Sequence, residues 1–563
     1  MTLRRVAVAG LAMLVLAAPA VASAAPNPAD QPPLGGAPIY PLVKQAPSLK
    51  PPPGFRLSAD RARAIADHTS QVTQELRSNP GLRVVIGTRG TDQWQVSYFD
   101  SAGEERARVL IDDPTGEVSE ALTGHQVGTP LARGYKGAVA GIANRIYVWL
   151  PLCLLFLAPF FDFRRPFRLL HLDLLVMLSF GVSQIFFNRG EIGVSVPLVY
   201  PVLAYLFVRM LVAGFRRDGD RETRGRLIPW APGWLLVAAI AALVVFRIGV
   251  SVAEDNVIDV GYAGVIGADR ITRGEDVYDA GYWSTTQVRG DVYGPVNYLA
   301  YVPFEAAFPW SGHWDDLPAA RAASIAFDLI TALLLFLLGR RLRAGPEGRT
   351  LGLAFTYAWL AYPYTLFTLD SGFNDSLVAL FLVATLLAFR SAPGRGALTA
   401  LGGLAKFGQL ALAPLFAAGT GERRVREMTI FTIAFAIVAA AVVLPFIPDG
   451  GLHEFYDRSF GYQASRDSAF SIWGQAPSLH WLQDVAKALA VGLAILVAFV
   501  PRRRSVIQVA GLGAAVIIAL QVAATHWLYP YAVWFAPLLF VSLFTAYRGP
   551  EVRPNGSQLG TPG

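Results

Sequence analysis

The sequence predicts a mainly α-helical protein that crosses a membrane many times and carries a small exported α+β domain. Three observations predict this. The 563 residues are 53% hydrophobic and only 16% charged, with a mean hydropathy of +0.42, whereas soluble chains carry about 25% charged residues. From residue 140 onward, apolar runs of about 18–20 residues recur, the length a helix needs to cross a bilayer. Residues 55–130 break this pattern and read as a compact soluble unit.

The first 25 residues, "MTLRRVAVAGLAMLVLAAPAVASAA", place Arg4 and Arg5 before an apolar stretch and small residues. That pattern predicts a signal peptide or an uncleaved signal anchor. Residues 26–54 are rich in Pro and Gly and read as a linker with no core of their own. In 55–130, "SADRARAIADHTSQVTQELRSN" opens on a Ser N-cap candidate and keeps helical spacing. "LRVVIGTRG", "QWQVSYFD" and "RARVLIDDPTGEVSEALTG" then alternate as strands do, with "IDDPTG" as a hairpin turn.

Eleven crossings are expected, near 140–161, 170–188, 194–214, 232–252, 320–339, 350–368, 371–390, 428–447, 482–500, 506–524 and 527–547. The first three, within 138–226, precede a core spanning 232–547, and 548–563 form a cytoplasmic tail. Export of the N-terminal domain sends the first span inward. The Arg-rich loops at 162–168, 216–226, 339–349, 422–427 and 501–504 then all face the cytoplasm, as the positive-inside rule requires. This holds on one condition: the apolar segments 293–310 and 397–418 must make no net crossing. The second is interrupted by Lys406-Phe407-Gly408 and by Pro414, so it is expected to turn back on itself. The result is a plasma-membrane protein with two long outward loops, 253–319 and 448–481.

Several function classes drop out. The net charge of +7 resides largely in inter-span loops and reports orientation, not nucleic-acid binding. Cys153 is the one cysteine, so there is no disulfide framework and no Cys-based metal site. The seven histidines include no HExxH or HxxxH pair.

The motifs of the core are "DVGYAGVIGADRITRGEDVYD", "DVYGPVNYLAYVPFEAAF", "LDSGFNDSLVALFLVATLLAF", "GGLAKFGQLALAPL", "YDRSFGYQASRDSAFSIWG" and "HWLYPYAVWFAPLLF". In order and spacing they resemble the GT-C glycosyltransferases, in particular the bacterial polyprenyl-phosphate-sugar-dependent family typified by mycobacterial mannosyltransferases. The N-terminal stretch "WQVSYFD…GEERARVLIDDPTGEVSEALTG" resembles a PepSY-like domain, which implies a regulatory role or docking to an envelope protein. The GT-C resemblance implies sugar transfer from a polyprenyl-phosphate donor to an extracytoplasmic glycan, glycolipid or glycoprotein acceptor at the membrane surface. It also implies an Asp general base just past the first core span. The matching residue is Asp259, followed by Tyr262 and Tyr278; Asp255, one helical turn earlier, is the second candidate.

The chemistry has its own logic. An acceptor hydroxyl becomes a good nucleophile as a positioned carboxylate removes its proton. The departing lipid phosphate needs cations, and a charge at membrane depth must be paired or wet. A single displacement inverts the anomeric centre. Arg458, Arg466, Lys406 and His526 are the candidates for the phosphate. Tyr293, Asn374, Asp375, Gln463 and Trp473 are candidates for substrate contact, and "YGPVNYLAYVPF" reads as an amphipathic interfacial segment. Structural alternatives stand beside these: a helix cap for Asp259 or Asn374, loop ion pairs for the arginines, a snorkelling Lys406. No cofactor is called for. A divalent metal is compatible with the chemistry but not indicated, as the first outer loop holds no DxD pair. Rival functions are a transporter or flippase of lipid-linked sugars and a non-catalytic envelope scaffold. Against transport, the spans show no clear internal repeat, and charges are expected in the outer loops rather than mid-span.

Overall fold

The computed structural model describes residues 42–89, 93–101, 105–123, 140–189, 191–216, 225–253, 257–279, 290–310, 317–421, 424–465 and 468–548. The expected signal sequence, Asp255, Arg466 and nearly all of the tail lie outside the described residues.

In the N-terminal domain, helices α1 (Ala59–Asp67) and α2 (Ser70–Ser78) accompany an antiparallel meander. Its strands run in the order β1 (Val43–Lys44), β2 (Arg83–Arg89), β3 (Gln93–Phe99), β4 (Glu105–Asp112), β5 (Val118–Thr123). Ser58 caps α1 by accepting from Arg61 N. The helical pattern is not one helix, however. Thr69 accepts from Val72 N and donates to Ala66 O, which ends α1 and starts α2. Trp94, Val96, Tyr98, Val109 and Ile111 form the core with Ala59, Ala62 and Ala66 of α1. The turn residue Asp113 does more than turn. Its carboxylate accepts from Arg56 N, Leu57 N and Trp94 Nε1 and so ties the start of the domain to the sheet. Val43 and Lys44, within the expected linker, pair with Thr88 and Gly87. The open edge of β2 recruits them, which composition could not foretell.

The rest of the chain is a helical bundle. It opens with α3 (Ile146–Leu157), α4 (Leu169–Leu178), α5 (Phe180–Phe187), α6 (Ile192–Phe215) and α7 (Gly233–Ala253). Next come α8 (Asp259–Thr272), α9 (Pro295–Ala307), α10 (Pro318–Leu342), α11 (Gly345–Ala361), α12 (Pro363–Asp370) and α13 (Asp375–Leu387). It closes with α14 (Ala392–Ala405), α15 (Ala413–Ala418), α16 (Arg424–Val443), α17 (Gly451–Tyr456), α18 (His480–Phe499), α19 (Val506–Ala523) and α20 (Ala532–Phe544).

Among the described residues, seven helical stretches are long and apolar enough to cross a membrane: α4–α5, α6, α7, α10, α16, α18 and α19, some with a flanking turn. Four of the eleven expected crossings are shorter or broken. Those at 140–161, 371–390 and 527–547 contain Ile146–Phe160, Asp375–Leu387 and Tyr529–Phe544. The one at 350–368 is interrupted between α11 and α12, where Pro363 starts a new helix. The 13 residues of α13 rise about 20 Å, short of a hydrocarbon core of about 30 Å. Of the seven, α19 is the most deeply buried in the bundle and α16, at the periphery, the least.

Segment 397–418 does turn back. Arg395 Nε, near the start of α14, donates to Phe416 O in α15 at 2.8 Å. Gly402 and Gly403 leave room for Gln409 and Leu410 of the returning limb. Lys406 sits at the tip. Segment 293–310 forms α9, and its polar and aromatic residues point inward: Asn297, Tyr298, Tyr301 and Glu305 are buried while Leu299 and Phe308 are exposed. The segment is amphipathic, but its polar side serves the protein interior.

The Arg-rich loops gather at the end of the bundle away from Lys406. Arg168 donates to Arg226 O, Arg343 to Thr545 O, and Arg424 to Arg502 O. Charges nonetheless occur mid-span, contrary to expectation. Arg247 of α7 pairs with both carboxylate oxygens of Asp328 in α10, and also donates to Leu360 O and Thr365 Oγ1. Trp359 Nε1 completes the carboxylate's shell. A buried ion pair is tolerated where its remaining valences are met in this way. Replacing Asp328 by Ala should therefore cost about 3–5 kcal/mol by stranding the guanidinium, read as a fall in Tm of the detergent-solubilised protein. The double replacement Arg247→Met with Asp328→Leu should recover most of it.

Candidate active site

Four interruptions in the helices meet at the end of the bundle opposite the Arg-rich loops: the start of α8, the start of α9, the turn after α12 and the tip at Lys406. Each is held by a specific contact. Gly372 adopts φ +66° in the turn, a conformation open to Gly without strain. Ile258 N then donates to Ser371 O at 3.2 Å, which sets the start of α8, with Asp259 as its first residue. The stretch preceding α3 braces the same turn, since Ala140 N donates to Ser371 Oγ and Ala143 N to Asp370 Oδ2.

The motif "DVGYAGVIG" now has a physical account. Gly261, Gly264 and Gly267 recur every third residue on one face of α8. A Cβ at these positions would strike Gly372 O, the Tyr301 ring and the Tyr298 ring respectively. Their absence of side chain lets α8 lie against α9 and the turn. Gly294 likewise allows the start of α9 to abut Leu404 O of the hairpin.

At the hairpin tip Lys406 is buried, and its Nζ lies 2.7 Å from Asp375 Oδ1. Trp534 Nε1 donates to the same oxygen at 2.6 Å. The ammonium also faces the rings of Tyr293, Tyr531 and Trp534 at 5.6–5.9 Å, within cation–π range. Gly408 leaves the space that the Trp534 indole needs. Asn374 occupies the N-cap position of α13 but makes no capping bond. Its Nδ2 instead donates to Asn297 Oδ1 of α9 at 2.6 Å.

Beside this lies a second charged group. Arg458, in the π-helical turn Asp457–Gly461, pairs with Asp291 at 2.8 Å and with Glu454 at 2.7 Å. Burial opposes the charge of Arg458, but hydrogen bonds to Asp291 and Glu454 outweigh it and hold the guanidinium above its usual range. The same hydrogen bond from Arg458 depresses Glu454 below the usual carboxylate range. Gln463 Nε2 donates to Val292 O, and the Tyr278 hydroxyl to Tyr293 O, so both brace the strand of chain leading into α9. His526 Nδ1 is 2.7 Å from Ser468 Oγ, and its ring packs edge-on to Tyr531.

Tyr278, Tyr293, Asn374, Asp375, Lys406, Arg458, Gln463 and His526 thus form one continuous polar cluster. Tyr262 is buried in an apolar cluster that also holds Tyr301 and Leu404, with its ring edge-on to Trp310. Trp473 is buried and gives its indole N–H to Val522 O. Asp291, Asn297, Tyr301, Tyr531 and Trp534 belong to the cluster without having been singled out in the sequence. Among the described residues, no group of three or more His, Cys, Asp or Glu is arranged to hold a metal ion.

Residues 292–547 match the model of glycosyltransferase family 87. The match indicates a glycosyltransferase, and the helices make the chain a membrane protein. It takes in α9, the turn, the hairpin, Arg458 and His526, and begins after α8. Comparison with curated proteins and with solved structures finds no match.

The Glu454 carboxylate carries a pH dependence. Its depressed pKa means that the ionised form favours the folded state. That contribution is complete above the ordinary carboxylate pKa and is lost as pH falls through the depressed value. Thermal unfolding followed from about pH 6 to about pH 3 should show a slightly larger loss of Tm in the wild type than in Glu454→Gln, the difference being the part this carboxylate contributes.

Proposed function

We propose that the protein transfers a sugar from a polyprenyl-phosphate donor to a glycan, lipid or protein hydroxyl outside the cytoplasm. The observation that carries this reading is Lys406: a cation at the tip of a hairpin buried in an apolar bundle, caged by three rings and joined to the turn that starts α8. A buried ammonium of this kind suits a lipid-linked phosphate, which arrives from the membrane and carries its charge at the interface. Arg458 and His526 lie in the same cluster and are proposed to share that phosphate, with Arg466 as a further candidate.

In the proposed reaction, Asp259 takes the proton from the acceptor hydroxyl as the oxygen attacks the anomeric carbon. The bond from that carbon to the phosphate oxygen breaks, and polyprenyl phosphate leaves with the electron pair. One displacement inverts the anomeric centre. Asp255 is the second candidate for the base. The gathering of the Arg-rich loops at the opposite end supports an outward-facing site by the positive-inside bias. The N-terminal domain, with a core of its own, is proposed to dock an envelope protein or to regulate transfer.

The test is transfer from radiolabelled polyprenyl-phosphate sugars in membranes containing Asp259→Asn. General-base removal should lower kcat by about 100-fold or more, with donor binding retained. Unchanged transfer would refute the base assignment. Movement of the lipid-linked sugar across vesicles without any transfer would instead support a flippase.

A further inference from the structure

Four polar side chains near the start of α8 are sealed from solvent but carry hydrogen-bonding capacity that the protein leaves unused. Asn297, Tyr301, Asn374 and Asp375 are each at most 1% exposed. The bond between the two amides leaves Asn297 Nδ2 and Asn374 Oδ1 without a protein partner. Turning both amides over exchanges the roles but still leaves one NH2 group and one carbonyl over. Asp375 commits Oδ1 to Lys406 and Trp534, while Oδ2 has no protein partner. The Tyr301 hydroxyl has none either. It stands one helical turn beyond Asn297 on α9, hence on the same face. Burial, and then the nearby Asp375 carboxylate, raise its phenol above the usual range.

Buried polar groups in native proteins are nearly always satisfied, so a concentration of unmet ones calls for an occupant. The position says which. The Tyr301 ring fills the space left by Gly264 of α8. Asn374 and Asp375 follow the turn that Ile258 N grips. Lys406 is bonded to Asp375 on the other side. The set therefore lies between the helix that starts at Asp259 and the cation proposed for the phosphate, where the ring to be transferred would sit.

We propose, on the glycosyltransferase reading above, that Asn297, Tyr301, Asn374 and Asp375 recognise the hydroxyls of the transferred sugar, a neutral ring with a vicinal diol. One hydroxyl donates to Asp375 Oδ2 and accepts from Tyr301. Its neighbour accepts from the free amide NH2 and donates to the free amide carbonyl. A ring bearing a carboxylate would set a second negative charge against Asp375. A deoxy ring would leave these groups unmet, and a site built to bond a hydroxyl discriminates strongly against the analogue without it.

The experiment uses the purified full chain in nanodiscs with polyprenyl-phosphate-linked mannose, glucose, galactose and arabinose, and with the deoxy forms of whichever is transferred. Tyr301→Phe keeps the ring that packs on α8, and Asn297→Ala removes the amide; unchanged elution profile and Tm verify folding. With the sugar that the wild type transfers, donor KM should rise about tenfold in each variant, and the preference over the deoxy donor should shrink by about the same factor. If the wild type transfers a sugar and both folded variants keep its KM and its deoxy discrimination, the subsite is overturned while the transfer activity stands. If the wild type transfers none of the four, the polyprenyl-phosphate donor reading falls and the subsite falls with it.

Discussion

The ion pair between Lys406 and Asp375 is the contact on which the rest of the site depends. Both groups are removed from water, at a cost their mutual attraction offsets only if their other valences are met. Lys406 meets its own with three aromatic faces. Asp375 receives the Trp534 indole N–H on the oxygen that Lys406 already holds, and its Oδ2 is left without a protein partner for the proposed sugar hydroxyl to meet. The pair thereby fastens three elements that share no local sequence: the hairpin of α14 and α15, the turn before α13, and the start of α20.

That fastening explains why irregular backbone is stable in so apolar a bundle. Chain that leaves helical geometry at membrane depth must be enclosed by protein or water, because its N–H and C=O groups have nowhere else to turn. Here the breaks support one another. Ser371 O serves Ile258 N, the Ser371 hydroxyl serves Ala140 N, and Leu404 of the hairpin lies against Gly294 of α9. The glycines of α8 convert this into position, because a helix with a bare face can lie directly against the turn at Gly372 and the rings of Tyr298 and Tyr301.

Much of the architecture was legible in the sequence because it depends on local pattern. Apolar run length marks the long helices, the Lys406-Phe407-Gly408 interruption with Pro414 marks the returning hairpin, and Ser58 marks the start of α1. What stayed hidden depends on distant partners. Asn297 meets Asn374 across 77 positions, and Trp534 meets Asp375 across 159. Nothing in the neighbourhood of Asn297, Tyr301 or Trp534 distinguishes them from ordinary helix residues. The mid-span pair Arg247–Asp328 escaped notice for the same reason: each charge is isolated in its own helix. The breaks at Thr69 and Pro363 were visible as residue types, but apolar periodicity on either side masked them. The edge strand at Val43–Lys44 has no periodicity to read at all.

The most direct measurement is a cryo-electron microscopy structure of the protein in nanodiscs with a polyprenyl phosphonate sugar that cannot be cleaved. The phosphonate should lie within contact distance of Lys406, with the lipid chain leaving toward the bilayer and the sugar ring enclosed between α9 and the turn at Ser371–Asp375. Density for the phosphonate at the Arg-rich end, or a sugar ring away from α9 with Lys406 still paired and untouched, would contradict it.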